Sequence, residues 1–320
     1  MTVERVHPAI YRITAPFEGG GVVYLYLLKG DRIALIDTGV ANTPHQVLEP
    51  ALSEIGLAPT DLDLILNSHA HMDHTGGNSA AKQASGAPIH IHPADEAVAR
   101  SNDALVELMN APFQEVGHSP ASLQQRAAYI LRNCGEPVPP DALLAENDVI
   151  DLGRGIQLRV FHTPGHTPGS VSYYWESEGI VLTGDAVQGY GARIGAYPSY
   201  ANASDYRRSL AKLAGLDFSM LAGSHPFPGG APTNLPTRVG PEARSLLDIS
   251  IQAADTMHQV VAEAVRQMPD ASRRDIALSA LGELIFHIPQ LLDRATRMPR
   301  TAAPSLVAHM DAVRDGSYPA

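Results

Sequence analysis

The segment His69-Ala70-His71-Met72-Asp73-His74 constrains this chain more than any other. It places imidazole donors at i, i+2 and i+5 and a carboxylate at i+4, and only a tight loop turns all four inward together. Histidine nitrogen and aspartate oxygen are the ligand types that hold Zn²⁺, and they also suit Fe or Mn. A polar loop that carries histidines by chance is the plain alternative. It explains one such residue more readily than four in one turn.

The flanking sequence reads as a layered fold. Ala9 to Thr14, Gly21 to Leu28 and Arg32 to Asp37 are rich in β-branched and aromatic residues and are separated by glycine-bearing turns, the pattern of strands in hairpins. A helical pattern from Pro44 to Ile55 precedes the apolar run Leu62 to Leu66, a short buried strand that delivers the chain to the histidine cluster. A helix beyond Thr75 and a strand at Ile89 to His92 continue the alternation. Strands return at Ile156 to Phe161, Ser170 to Trp175 and Ile180 to Thr183, then a helix at Asp205 to Ala214 and a strand at Phe218 to Ala222. Between these halves, residues 101–140 break the rhythm and read as an insertion, with an amphipathic stretch at Ser122 to Arg132. After the Pro/Gly-rich segment Pro226 to Pro241 only helical signals remain, at Glu242 to Met268, Ser272 to Phe286 and Leu291 to Arg297. The expected division is therefore 1–240 for the layered unit and 241–320 for a helical extension.

Three further candidates follow expected strands: His166 in Thr163-Pro164-Gly165-His166-Thr167-Pro168-Gly169, Asp185 in Thr183-Gly184-Asp185, and His225 in Gly223-Ser224-His225-Pro226. Neighbouring glycine and proline fix sharp turns of the kind that present a ligand. Taken together over residues 8–230, these pieces resemble the metallo-β-lactamase superfamily. The resemblance implies an α+β chain, an αββα sandwich with metal ligands on loops along one edge of its two sheets, here with a C-terminal helical extension. It implies that His69, His71 and His166 hold one metal ion, that Asp73, His74 and His225 hold a second, and that Asp185 bridges them. Asp37, in Ile36-Asp37-Thr38-Gly39, looks like the aspartate that supports the metal loop from behind. Two divalent ions about 3.5–4 Å apart acidify a shared water and polarise a carbonyl or phosphoryl oxygen, so no side-chain nucleophile is needed. The resemblance gives Asp73 the task of orienting the resulting hydroxide. Zinc is the first expectation for both ions, with iron or manganese as alternatives.

Composition narrows the branch. A formal charge of −11 offers no basic field to polyanions, so nucleic acid and anionic membrane are not expected partners. One cysteine excludes an internal disulfide framework, the segment Met1 to His7 carries no basic-then-apolar leader, and no run of about 18 apolar residues occurs. A cytoplasmic protein acting on a small molecule is expected. The resemblance implies that antibiotic-hydrolysing members are exported and lack an aspartate at the position of Asp185, so antibiotic hydrolysis is not the expected main task, and a flavodoxin domain is not expected. The resemblance then points to hydrolysis of a small ester-type bond, either a thioester, as in glyoxalase-II-like enzymes, or a lactone, such as an acyl-homoserine lactone. A persulfide-dioxygenase-like enzyme with a single iron and a non-catalytic effector on the same fold are the alternatives. The tail shows no basic cluster of the glutathione-binding kind, and its first helix is expected to cap the pocket or form a homodimer seam.

Tyr190, five residues after Asp185, is a candidate hydrogen-bond donor to the substrate carbonyl. His118 could reach a substrate carboxylate, against the plainer reading of a solvent-facing loop residue. His90, His92 and His162 read as structural residues near strand ends. Of His258 and His287 on the tail helices, only His287, beside Phe286 and Ile288, suggests a pocket residue. Cys134 reads as a partly buried thiol, and Met257 and Met268 as core or interface filler.

Overall fold

A computed structural model describes residues 3–191, 197–227, 235–287 and 302–319. The first sheet runs in spatial order β1 (Val3–His7), β2 (Ile10–Phe17), β3 (Gly21–Lys29), β4 (Ile33–Ile36), β5 (Leu64–Leu66), β6 (Ile89–Ile91) and β7 (Ala142–Leu143). Its first four strands are antiparallel neighbours, and from β4 to β7 the pairing is parallel. Parallel pairing requires crossovers, which are supplied by a π-helical turn at Pro44–Leu48 leading into α1 (Glu49–Glu54) and by α2 (Met72–Thr75) with α3 (Asn78–Ser85). A short α4 (Glu96–Ala99) precedes the insertion, which contributes α5 (Asn102–Glu115) and α6 (Pro120–Asn133).

The second sheet comprises β8 (Val149–Asp151), β9 (Gln157–His162), β10 (Val171–Trp175), β11 (Ile180–Gly184), β12 (Met220–Gly223) and β13 (Thr237–Val239), in the order β13-β12-β11-β10-β9-β8. Only β11 and β12 pair in parallel, joined across α7 (Ala203–Ala214). Then come α8 (Pro241–Gln267), α9 (Arg273–His287) and α10 (Ala302–Asp315).

Strand alternation divides the core into layers. Ile10, Tyr26, Leu28, Ile36 and Leu66 of the first sheet face Leu158, Val160, Tyr173, Leu182 and Ala222 of the second, forming a dry layer between the sheets. The opposite side chains of the first sheet, including Leu25, Leu35 and Ile65, pack under Leu48, Leu52 and Ala81. On the far face of the second sheet, Val181 and Leu221 pack under Leu210, Leu213, Leu246 and Leu247. The helix–sheet–sheet–helix sandwich expected from the sequence is the fold observed.

Hydrogen bonds fasten the sheets at one edge. Tyr173 Oη donates to the Asn67 carbonyl and Tyr26 Oη to the Gly223 carbonyl, both at 2.8 Å. The Val171 amide donates to Ser68 O, also at 2.8 Å. Strands β4, β5, β9, β11 and β12 all end at this edge, so the loops that follow them converge.

The structure departs from the sequence reading in several places. The metal-type segment is not all loop, because Met72–Thr75 makes one helical turn that carries Asp73 and His74. The insertion holds two full helices where one amphipathic stretch is expected, and the Pro/Gly-rich segment contains β13, which pairs with β12. α10 is an additional tail helix, and the helix expected at Leu291 to Arg297 lies outside the described residues. The tail packs back onto the rest of the chain: Met257, Val261, Ile276, Leu306 and Met310 share one apolar cluster with Phe113 and Val116 of the insertion. Met257 is thus core, and Met268 packs against the same cluster. Among the described residues no helix is long and apolar enough to cross a membrane.

Candidate metal centre

Each strand ending at the fastened edge is followed by donor residues: Asp37 after β4, His69 to His74 after β5, His166 after β9, Asp185 after β11 and His225 after β12. Their donor atoms form three overlapping groups: His69, His71 and His166; His69, His74 and Asp185; and Asp73, His74 and His225. All seven sequence-predicted donors are therefore brought together.

Neighbours select which imidazole nitrogen faces the centre. His166 Nδ1 donates to the Ser199 carbonyl at 2.5 Å and His225 Nδ1 to the Val22 carbonyl at 2.6 Å. His74 Nδ1 lies 2.8 Å from Asp37 Oδ2. Ser68 Oγ donates to that same carboxylate at 2.7 Å, which leaves the hydroxyl to accept from His69 Nδ1 at 3.0 Å. With these four Nδ1 atoms so occupied, each ring presents Nε2 inward, the nitrogen that ligation requires.

The inward atoms suit cations. His69 Nε2 and His166 Nε2 are 3.1 Å apart, close to the ~3.3–3.4 Å expected between two nitrogens of one tetrahedral zinc. Asp185 Oδ2 lies 3.4 Å from His166 Nε2 and 3.5 Å from His225 Nε2, and its Oδ1 lies 3.8 Å from His74 Nε2. Asp73 Oδ2 is 3.3 Å from His225 Nε2. His74 Nε2 and Asp185 Oδ1 are buried without a hydrogen-bond partner, a costly arrangement for polar atoms that a metal ion relieves.

Charge is divided unevenly. Burial, with mutual repulsion among the rings, holds His69 and His71 well below the usual imidazole range, and burial likewise lowers His166. Burial also disfavours charge on His74, yet the Asp37 and Asp73 carboxylates raise its pKa. Against the same burial, Asp185 and Asp73 push His225 up to about 10. Burial opposes the charge on Asp73, but His74 and His225 lower its pKa far below the carboxylate range. The carboxylates around His74 and His225 therefore favour positive charge there, and His69, His71 and His166 offer neutral nitrogen.

The backbone around the donors is tightly specified. Asp37 adopts φ 61°, a left-handed conformation that aspartate tolerates better than most residues. Thr38, Asn67 and Asn78 form a buried hydrogen-bonded cluster that ties the metal loop to α3. Gly165 has φ 131°, and a Cβ there would meet the Tyr206 backbone at 2.4 Å.

Asp95, not singled out from sequence, links two ligand loops. Fully buried in the helical turn that follows β6, it accepts from the Ala70 amide at 2.9 Å, between ligand candidates His69 and His71. It also accepts from Thr167 Oγ1 and the Gly169 amide, both at 2.7 Å, just beyond His166. Burial raises its pKa and these donors oppose the rise. A Cβ on residue 169 would meet the Asp95 carboxyl carbon at 2.5 Å, so the strap needs glycine there. Gln188 is a second such residue: Nε2 donates to the Asp185 and Ser199 carbonyls, at 2.9 and 2.7 Å.

The remaining candidates are not among these donor groups. Tyr190 packs, partly buried, against the apolar cluster shared by the insertion and the tail. His118 sets its ring edge on Phe113 and lies 3.3 Å from Ser122 Oγ. His92 and His162 stack at 3.9 Å, and β6 carries His90. His258 stacks on Tyr318. The His287 side chain lies outside the described residues. Burial and the nearby Asp73 push the half-buried Cys134 thiol up to about 11, which leaves it protonated and unreactive at neutral pH.

Such a layered fold with a buried histidine–aspartate centre at one sheet edge defines a class of metallo-hydrolase. The family model of the metallo-beta-lactamase superfamily matches residues 17–225, and the chain belongs to that superfamily. It is 32% identical over 203 residues to acyl-coenzyme A thioesterase MBLAC2 of Gallus gallus, covering 62% of this chain and 68% of that protein. It is 33% identical over 165 residues to hydroxyacylglutathione hydrolase of Anaeromyxobacter dehalogenans, covering 51% of this chain and 46% of that one. A metallo-beta-lactamase family protein from Thermus thermophilus superposes with a TM-score of 0.71 at 22% identity, covering 98% of this chain and 95% of the other, and supports the fold alone.

Proposed function

We propose that this chain hydrolyses a small-molecule acyl thioester at a centre of two divalent ions, with the lactone, acyl-homoserine lactone included, as the rival ester-type substrate. The observation that carries the reading is the position of Asp185, whose carboxylate lies within 4 Å of histidines from both halves of the centre. His69, His71 and His166 would hold one ion, Asp73, His74 and His225 the other, and Asp185 both. Imidazole and carboxylate donors favour zinc, with iron or manganese accommodated. When bound, such ions supply Lewis acidity toward a carbonyl oxygen and acidify a water molecule.

The protein's own groups complete the chemistry. Asp73 is the most open of the inward carboxylates, with 16% of its side chain exposed against 8% for Asp185. That greater exposure suits it to orient the attacking water. Tyr190, five residues after Asp185 and packed against the helical cluster, would donate a hydrogen bond to the acyl oxygen. The thioester is preferred because one relative is named an acyl-coenzyme A thioesterase and another a hydroxyacylglutathione hydrolase. A small-molecule substrate met in the cytoplasm fits the acidic net charge.

The test is a panel of acyl-coenzyme A thioesters, acyl-glutathione thioesters and acyl-homoserine lactones, run with metal-analysed wild type and Asp185→Asn. Thioester turnover that falls at least 100-fold in the variant, together with its metal content, is the expected result. One iron per chain with sulfide-dependent oxygen uptake, or no hydrolysis by the two-ion protein, would overturn the proposal.

A further inference from the structure

Residues 197–200 run between the metal centre and the tail helix α10, and successive residues bond in opposite directions. Ser199 faces the centre: its carbonyl accepts from His166 Nδ1 at 2.5 Å and from Gln188 Nε2 at 2.7 Å, while its amide donates to Gln188 Oε1 at 2.7 Å. The residues on either side face α10. The Pro198 carbonyl accepts from Ser305 Oγ, and Tyr200 Oη shares a hydrogen bond of 2.7 Å with His309 Nε2. Ser305 and His309 stand four residues apart on one face of α10, and both are fully buried. The next two amides continue the clamp, since Ala201 and Asn202 both donate to the carbonyl of Gly165, the residue before His166.

Apolar packing alone would hold this helix without these groups. Leu306, Val307 and Met310 already bury it against neighbouring helices, and placing a serine and a histidine on the buried side adds a desolvation cost. His309 Nδ1 is buried without a partner, which adds to that cost, whereas the satisfied bonds of Ser305 Oγ and His309 Nε2 fix one register and one geometry. Here the geometry fixed is that of the segment that aims His166.

We infer that α10 is a working part of the metal centre: Ser305 and His309 hold residues 198 and 200 so that the Ser199 carbonyl orients His166 toward its ion. They are positioning residues, and they lie beyond the stretch 17–225 shared with the superfamily model. The tail thereby has a task other than covering the pocket, and a chain that lost its tail register would lose metal before it lost its sandwich. The inference rests on the two-ion reading above.

The test measures stepwise zinc affinities of the full chain by chelator competition, alongside melting temperature. His166→Ala identifies the ion held by that ligand. Ser305→Ala and Tyr200→Phe are expected to weaken that ion about 10-fold, as loss of a residue behind a ligand does, and to leave the other ion unchanged. His309→Gln, which can still bond the Tyr200 hydroxyl, should restore near-normal affinity. Leu306→Ala, a packing defect on the same helix, should lower melting temperature without selective loss of either ion. Wild-type affinities for both ions in Ser305→Ala and Tyr200→Phe would overturn the inference and leave the two-ion reading standing. So would an equal loss at both sites matched by Leu306→Ala. A wild type that binds no zinc would overturn both.

Discussion

Replacing Asp37 with asparagine keeps the shape of the centre and reverses its hydrogen-bond polarity. Asparagine tolerates the φ of 61° at this position, and its Oδ1 can still accept from the Ser68 amide, which the native carboxylate does at 2.8 Å. The other native oxygen accepts from both Ser68 Oγ and His74 Nδ1. An NH₂ group in its place donates to both. His74 Nδ1 must then act as acceptor, so the ring proton moves to Nε2 and the ligand lone pair is lost. Ser68 Oγ, now an acceptor from residue 37, turns its own proton toward His69 Nδ1 and moves that ring toward the same wrong tautomer. Exchanging charged for neutral hydrogen bonds costs about 1–2 kcal/mol of stability, so the variant should fold. Loss of a carboxylate behind a ligand weakens metal binding about 10–100-fold, or about 1.4–2.8 kcal/mol. Chelator competition measures the affinity, and ¹⁵N histidine spectra of the zinc-loaded protein report which ring nitrogen binds the ion. Asp37→Ala should bind metal at least as poorly and lose a further ~1–2 kcal/mol of stability, because alanine resists the left-handed backbone. Wild-type zinc affinity in a folded Asp37→Asn protein would refute the tautomer argument.

Other perturbations reach different parts of the centre. Asp95→Asn should behave no better than Asp95→Ala, because its amide nitrogen must face one of the Ala70 or Gly169 amides; we expect a loss of about 2–4 kcal/mol, read by urea denaturation, and rescue by asparagine would contradict the strap. His225 is raised from 6.5 to about 10 in the metal-free fold, so its contribution to stability is complete below pH 6.5 and fades as pH rises toward 10. The melting temperature of chelated protein should therefore fall across that window, whereas zinc-loaded protein should hold steadier, and a chelated protein that gains stability there would contradict the assignment. Gly165→Ala should cost several kcal/mol and displace His166, since its Cβ has the Tyr206 backbone 2.4 Å away; an unchanged melting temperature would show that the loop has another conformation.

The centre was legible in the sequence because ligand chemistry is local. His69 to His74 carry four donors in one short stretch, and His166, Asp185 and His225 each follow an apolar strand with glycine or proline beside them. Asp95 has no such mark: one aspartate after a strand resembles any loop residue until its three donors arrive from residues 70, 167 and 169. α5 was hidden by Pro112, which sits in its C-terminal part and argues against a helix when read alone. β13 is three residues long in a stretch rich in turn formers, and only its pairing with β12 makes it a strand. The bonds from α10 to residues 198 and 200 span more than 100 positions, a separation at which periodicity and propensity carry no information.

The central claim is that two ions act together between the two halves of the site. Its most direct test is a titration of metal-depleted protein with zinc while acyl-thioester hydrolysis and bound metal are followed in the same samples. The account predicts two zinc ions per chain, with most turnover appearing as the second ion binds. Saturation at one ion per chain with full activity would contradict it.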